Sequence, residues 1–172
     1  MTNTEHTRTP TPGTAPTPTL APTLAPDLVP TLVHRLFRAL DARDFDAGGA
    51  MAGLVTPDVR METPVGAGEG ADEATRGAVE ALAPFVATQH IASGILVDGH
   101  DPGAGSARAS WNALMTHVYA DGTLFTVGGL FDADLRWTPD DGWRFSRVAV
   151  RPLWTQGTPP QTKETKQTKE RS

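Results

Sequence analysis

The chain has 172 residues, no cysteine and a formal net charge of −5, which excludes disulfide frameworks, thiolate metal sites and cysteine nucleophiles. Residues 27–156 carry ten Arg against seventeen Asp plus Glu, and all three lysines, Lys163, Lys166 and Lys169, lie in the last ten residues. Nucleic acids and anionic membranes need a basic face that this region lacks, and 38% hydrophobic residues suffice for one core.

Residues 1–26 alternate Pro with Thr and Ala, a composition that buries no core and favours extended, solvated chain. They hold no continuous apolar stretch of the secretory kind, and no run reaches membrane-spanning length, so a soluble, cytoplasmic protein is expected. Asp27 is expected to cap a first helix in which Leu28, Leu32, Leu36 and Leu40 recur every fourth residue, with Pro30 harmless in its first turn. After a break at residues 41–43, Asp44 is expected to cap a shorter helix ending near Val55, although Gly48, Gly49 and Gly53 weaken it. Val59–Thr63 is predicted as a short strand and GAGEGADE, residues 66–73, as a loop. A third helix is predicted over residues 74–87, kinked near Pro84.

From residue 89 onward the pattern is β. Four strands are predicted over 89–98, 107–119, 123–137 and 143–154, separated by the turn signals DGHDPGAGS, ADG and PDDG. Helices first and a meander of long strands last give an α+β class. Three N-terminal helices would pack on one face of a curved antiparallel sheet, forming a cone with a small-molecule pocket at its mouth. Residues 157–172, with their TKE/TKQ/TKE repeat, form a second polar tail, leaving 27–156 as the domain.

Strand alternation sets the candidate site. His90, Ala92, Gly94 and Leu96 share one face, and Trp111, Ala113, Met115 and His117 another. Imidazoles titrate near neutrality, so two in a dry pocket can move protons, and Asp41 at a helix end can fix one ring's tautomer. The structural alternatives are a hydrogen-bonded core histidine on each strand and Asp41 as the cap of the following segment. Asp132 and Asp134 share a face opposite Phe131, Ala133 and Leu135. His6, His34 and His100 fall outside the site. Two His and one carboxylate lack the compact spacing of a metal triad, GAGEG lacks a following Lys-Ser/Thr, and no G-x-S-x-G is present, so no metal and no cofactor are expected. Arg147 and Arg151 are expected on the outer face, paired with carboxylates. Phe125, Val127, Phe131 and Leu135 are expected to form an apolar outer patch that drives a homodimer or higher oligomer.

Four phrases carry a family resemblance: ALDARDFD, LVTPDVRMETP, TQHIASG and DGWRF. Over residues 28–154 the chain resembles the SnoaL-like group of the nuclear-transport-factor-2-like superfamily, and most of all its scytalone dehydratase-like branch. The resemblance implies a site of Asp41, His90 and His117, with Asp134 where that branch carries a substrate-holding Asn. The carbonyl-polarising tyrosines of the branch are replaced here by Leu40 and Thr63, and the one Tyr is Tyr119. Two functions follow as expectations. The first is a cofactor-free lyase or isomerase acting on a small hydrophobic, aromatic or polyketide-like molecule. In it His117, oriented by Asp41, is the base, while His90 with Asp134 positions water or a substrate oxygen. Trp111, Met115, Asp132 and Val148 would line the substrate pocket. The second is a ligand-binding or dimerisation module of the same fold without catalysis.

Overall fold

The computed structural model describes residues 23–45, 49–64 and 66–160. Its elements run α1 (Leu28–Ala42), β1 (Val55–Thr63), β2 (Gly66–Glu69), α2 (Ala71–Leu82), β3 (Ala87–Asp101), β4 (Ser106–Val118), β5 (Leu124–Thr138) and β6 (Gly142–Gln156). The six strands form one sheet in the order β2-β1-β6-β5-β4-β3, antiparallel throughout except where β1 runs parallel to β6. The meander expected from the turn signals is therefore the long half of the sheet, and the fold is α+β.

α1 exists because its apolar residues fall on one stripe. Val29, Leu32, Val33, Leu36 and Phe37 are buried, while Leu28 and Leu40 lie at the edges of the stripe. The stripe packs on inward residues of the sheet, including Trp111, Phe131, Leu135, Phe145 and Val148. Asp27 occupies the N-cap position, but its side chain makes no capping hydrogen bond. The helix ends at Arg43, a non-glycine residue in the left-handed region (φ 55°), whose N–H is shared by the carbonyls of Ala39 and Leu40. That conformation costs about 1 kcal/mol. The Arg43 guanidinium offsets the cost by donating to the carbonyl of Leu82, at 3.1 Å, and to that of Phe85. These carbonyls lie at and just beyond the end of α2, so one side chain ties the C-terminal ends of both helices together.

Several expectations are corrected. The helix expected from Asp44 to Val55 does not form: residues 49–54 are turns, and residues 46–48 lie outside the described set. Each glycine costs a helix about 1 kcal/mol, and here the segment is held instead by burial of Met51, Leu54 and Val55. The described residues thus form two α-helices, not three. The segment expected as a Gly-rich loop contains β2, which pairs with β1 from Arg60↔Glu69 to Thr63↔Gly66. It also opens directly into α2, with Gly70 (φ 92°) at the N-cap and Asp72 and Glu73 in the first turn. Leu24 packs against the core, and Tyr119 Oη donates to the Thr158 carbonyl at 3.0 Å, so ordered contacts reach slightly past both expected domain limits. The remaining tail residues, 1–22 and 161–172, lie outside the described residues.

The two faces of the sheet are also assigned differently. On β5, Phe125, Val127, Phe131, Ala133 and Leu135 point inward and are buried, whereas Asp132 and Asp134 lie on the outer face. Burying the apolar set removes far more apolar surface from water than burying the carboxylates, and an unpaired carboxylate in the core is costly. The expected outer patch is therefore the core. Arg147 does lie outside and donates to Glu62 at 2.9 and 3.1 Å, while Arg151 makes no ion pair among the described residues. A bulge between Ser93 and Leu96, with Gly94 at φ 60°, reverses the alternation of β3, turning Leu96 outward and Ile95 inward.

The Arg43 clasp gives a direct stability test. Arg43→Ala should lower stability by about 1 kcal/mol through two lost carbonyl partners, seen as a lower urea midpoint with an unchanged slope.

Candidate active site

Phe37 and Asp41 are four residues apart on α1 and share a face that looks onto β3. The Phe37 ring packs against the His90 ring, with centroids 5.3 Å apart. One turn further on, the Asp41 carboxylate accepts three hydrogen bonds from β3. Oδ1 accepts from Thr88 Oγ1 at 2.9 Å and faces His90 Nδ1 at 2.6 Å, while Oδ2 accepts from the His90 backbone N–H at 3.0 Å. A carboxylate oxygen accepts here, so the contact places a hydrogen on Nδ1, the tautomer whose neutral form presents its lone pair on Nε2.

His117 sits across from this pair on β4. Its Nδ1 lies 3.1 Å from the Phe125 carbonyl oxygen, which is also only an acceptor, so this ring too is protonated at Nδ1. The two imidazoles stand nearly perpendicular, with centroids 5.7 Å apart. Phe85 covers His117 at 4.6 Å, and Phe125 lies at 5.8 Å. Burial pushes the His117 imidazolium below its ordinary pKa. The Phe125 carbonyl opposes this, His90 adds to it, and the more remote Asp41 opposes it weakly. His117 is thus a neutral acceptor near pH 7.

The structure brings Asp41, His90 and His117 together but pairs them differently from expectation. Asp41 holds His90, not His117, because β3 is the strand that meets the end of α1. Asp132 and Asp134 stand on the opposite face of β5 and reach none of the three. Met115 flanks the pair, directly opposite His90 in the register. Trp111 and Val148 lie deep in the core; Trp111 is 1% exposed, stacked on Phe131 at 5.2 Å, and its indole N–H has no hydrogen-bond partner among the described residues. The expected open mouth is sealed over the imidazoles, since the His90 side chain is 5% exposed and His117 is 8% exposed. A surface hollow of about 480 Å³, where α1 meets the turns of 49–54, touches neither imidazole.

Thr88, Phe37 and Phe85 belong to the site and were absent from the sequence-based set. Thr88 was legible: it precedes His90 by two residues and so shares its strand face, but the strand was expected to begin one residue later. The Phe125 carbonyl had no sequence signal at all, because a backbone acceptor is independent of residue type.

Fold and site together define a class: small α+β cones that enclose a few polar groups in an aromatic interior. A family model described as a SnoaL-like domain matches residues 27–149, and the chain belongs to that family. No curated protein matches its sequence. Among solved structures it is similar to a scytalone dehydratase candidate of Novosphingobium aromaticivorans, with 18% identity, TM-score 0.67, and coverage of 77% of this chain and 87% of that one. It is likewise similar to the hexachlorocyclohexane dehydrochlorinase LinA-type3 of Novosphingobium barchaimii, at 12% identity, TM-score 0.65, and coverage of 77% and 92%. A nuclear transport factor 2-like superfamily protein of Salmonella enterica is a third, at 16% identity, TM-score 0.64, and coverage of 80% and 93%. At these identities the likeness is one of fold.

The depressed His117 proton affinity predicts a pH effect on stability. The unfolded chain, with the ordinary value of 6.5, takes up this proton first as pH falls. Stability from the neutral ring is therefore complete above 6.5 and declines as pH drops below it toward the folded value. Urea midpoints should fall between about pH 7.5 and pH 5.5, and fall less in His117→Gln; equal slopes in the two proteins would contradict the assignment.

Proposed function

We propose that this protein is a cofactor-independent lyase or isomerase that removes a carbon-bound proton from a small, uncharged, largely apolar molecule. The observation that supports this most is the 2.6 Å contact between Asp41 Oδ1 and His90 Nδ1. A carboxylate on Nδ1 fixes the tautomer, stabilises the imidazolium and leaves Nε2 as the base, the arrangement used when histidine acts in general base catalysis. His90 thus takes the role that the sequence suggested for His117.

The step balances without a further reactant. His90 Nε2 removes the proton, the C–H electrons become a new C=C bond, and a hydroxyl on the adjacent carbon departs with its bonding pair. The proton on Nε2 passes to that departing oxygen, which leaves as water and restores the base. Neutral His117, its Nδ1–H held by Phe125, offers Nε2 to accept the hydrogen of the hydroxyl and so positions it. The inner faces of β3, β4, β5 and β6 carry no Lys or Arg among the described residues, which disfavours a phosphate- or carboxylate-bearing substrate. Phe37, Phe85, Met115 and Phe125 favour a hydrophobic or aromatic one. Substrate access requires the segment carrying Phe85 to move. Burial of both imidazoles favours the second reading, a ligand-binding module in which they are satisfied core groups.

The readings separate in a screen of neutral β-hydroxy ketones and halogenated rings for elimination. His90→Ala and Asp41→Asn should each reduce kcat by at least about a hundredfold with the fold retained, consistent with loss of a general base. Turnover surviving both substitutions would exclude His90 as base; binding without turnover in the parent chain would favour the module.

Self-association is proposed through an outer patch different from the one expected. Ile91, Leu114, Gly128 and Trp154 are consecutive partners across β3, β4, β5 and β6, and the Trp154 indole covers Gly128, filling the space a side chain there would take. Ile91, Leu114 and Trp154 are 49%, 39% and 50% exposed, and the neighbouring rows hold Gln89, Thr116, Thr126, Gln156, Asn112 and Leu130 with one charge, Arg151. Charge depletion around a central Trp is the composition of an interface centre. Sedimentation should give an oligomer at micromolar concentration for the parent and a monomer for Trp154→Glu; a monomeric parent would refute it.

A further inference from the structure

We propose that Thr88 is a positioning residue, whose hydroxyl fixes the Asp41 carboxylate so that the shared proton stays on His90 Nδ1. The inference rests on the reading of Asp41 and His90 as a working pair and deepens it. Thr88 and His90 leave the same face of β3, two residues apart. Thr88 Oγ1 donates at 2.9 Å to Oδ1, the oxygen that also accepts from His90 Nδ1, and the His90 amide holds Oδ2 at 3.0 Å. The amide fixes Oδ2 to the strand, but the other donor on Oδ1, the His90 ring, can turn with the carboxylate about its own side-chain bonds. The hydroxyl gives Oδ1 a donor held by a different residue, so the carboxylate cannot turn without breaking a bond.

The hydroxyl also acts on charge. A donor on Oδ1 draws density from that oxygen and makes it a poorer base, so the proton in the short contact favours the imidazole. The ring then keeps its Nε2 lone pair, which the proposed chemistry needs. Threonine suits this position because its β-branch restricts χ1, holding the hydroxyl in one direction with little remaining freedom. It is also the register partner of His117 on β4, so the same residue spaces the strands that carry the two imidazoles. Asp41 is partly exposed, at 26% of its side chain, and without Thr88 water would take the vacated place on Oδ1 as a mobile donor.

The full chain, labelled with ¹⁵N at histidine, tests this without knowledge of the substrate. The readouts are the exchange rate of the His90 Nδ1–H and the tautomer populations of His90 across pH. Thr88→Val, close in shape, should speed exchange by about tenfold and mix the tautomers, as loss of a charge-assisted bond predicts. Thr88→Ser, which keeps the hydroxyl, should restore both. Unchanged readouts in Thr88→Val, with Asp41→Asn shifting them, would overturn the role of Thr88 while leaving the pair intact. If Asp41→Asn also changes nothing, the pair itself is refuted. Thr88→Ala is measured alongside, and unfolding of both Val and Ala variants with Thr88→Ser native would overturn the positioning role in favour of a structural one.

Discussion

One carboxylate joins the helical and sheet halves of the site. Asp41, in the last turn of α1, accepts three hydrogen bonds from β3, so the end of the helix and the edge of the sheet are fixed to each other at a single group. A partly buried carboxylate is stable only if its lone pairs are occupied, and each donor it holds is a charge-assisted bond. The end of α1 is fixed in a second way by Arg43, which adopts a left-handed conformation and reaches the carbonyls of Leu82 and Phe85. Asp41 faces inward to β3 and Arg43 faces the end of α2. Two residues on either side of Ala42 therefore set where His90 and Phe85 stand.

From that anchor the electrostatics of the interior follow. Each imidazole has its Nδ1–H directed at a group that can only accept, the Asp41 carboxylate for His90 and the Phe125 carbonyl for His117. The two partners differ in charge, and that difference separates two otherwise similar rings. His90 faces a carboxylate, whereas a neutral carbonyl under heavy burial keeps His117 uncharged. Aromatic faces from Phe37, Phe85 and Phe125 lower the local dielectric and sharpen both effects. Two similar rings thus sit beside a charged and an uncharged acceptor, with no tyrosine hydrogen-bonded to either among the described residues. Tyr119 is directed instead to the carbonyl of Thr158.

The outer face of the sheet illustrates a complementary constraint. Strand alternation makes every residue choice on the inside a choice on the outside as well. Placing Phe131, Ala133 and Leu135 in the core puts Asp132 and Asp134 in solvent, where they add negative potential near Arg147. Further along the same strands the outer positions hold one charge, Arg151, and end in Trp154 packed over Gly128. The convex surface is therefore divided between a charged end and an apolar end.

Legible in the sequence were the α+β class, the stripe of α1, four long strands within a few residues, and Asp41, His90 and His117 as neighbours. The elements rest on helical spacing, alternation and turn residues, and the polar residues on strand alternation together with the family resemblance that the TQH phrase carries. The sequence pattern misassigned the segment of 44–55, where three glycines and buried Met51 and Leu54 outweighed an apparent cap, and it turned β5 inside out. Alternation gives two faces without saying which is inward, and that choice depends on which face α1 covers. The partner of Asp41 follows from the fold and not from spacing. The distance from a helix end to one of two strands depends on the order in which strands pair, and β3, not β4, is the edge strand that meets α1. The fold also decided the place of Thr88 and of the Phe125 carbonyl, since a hydrogen bond requires a distance and a direction that residue identity alone does not supply.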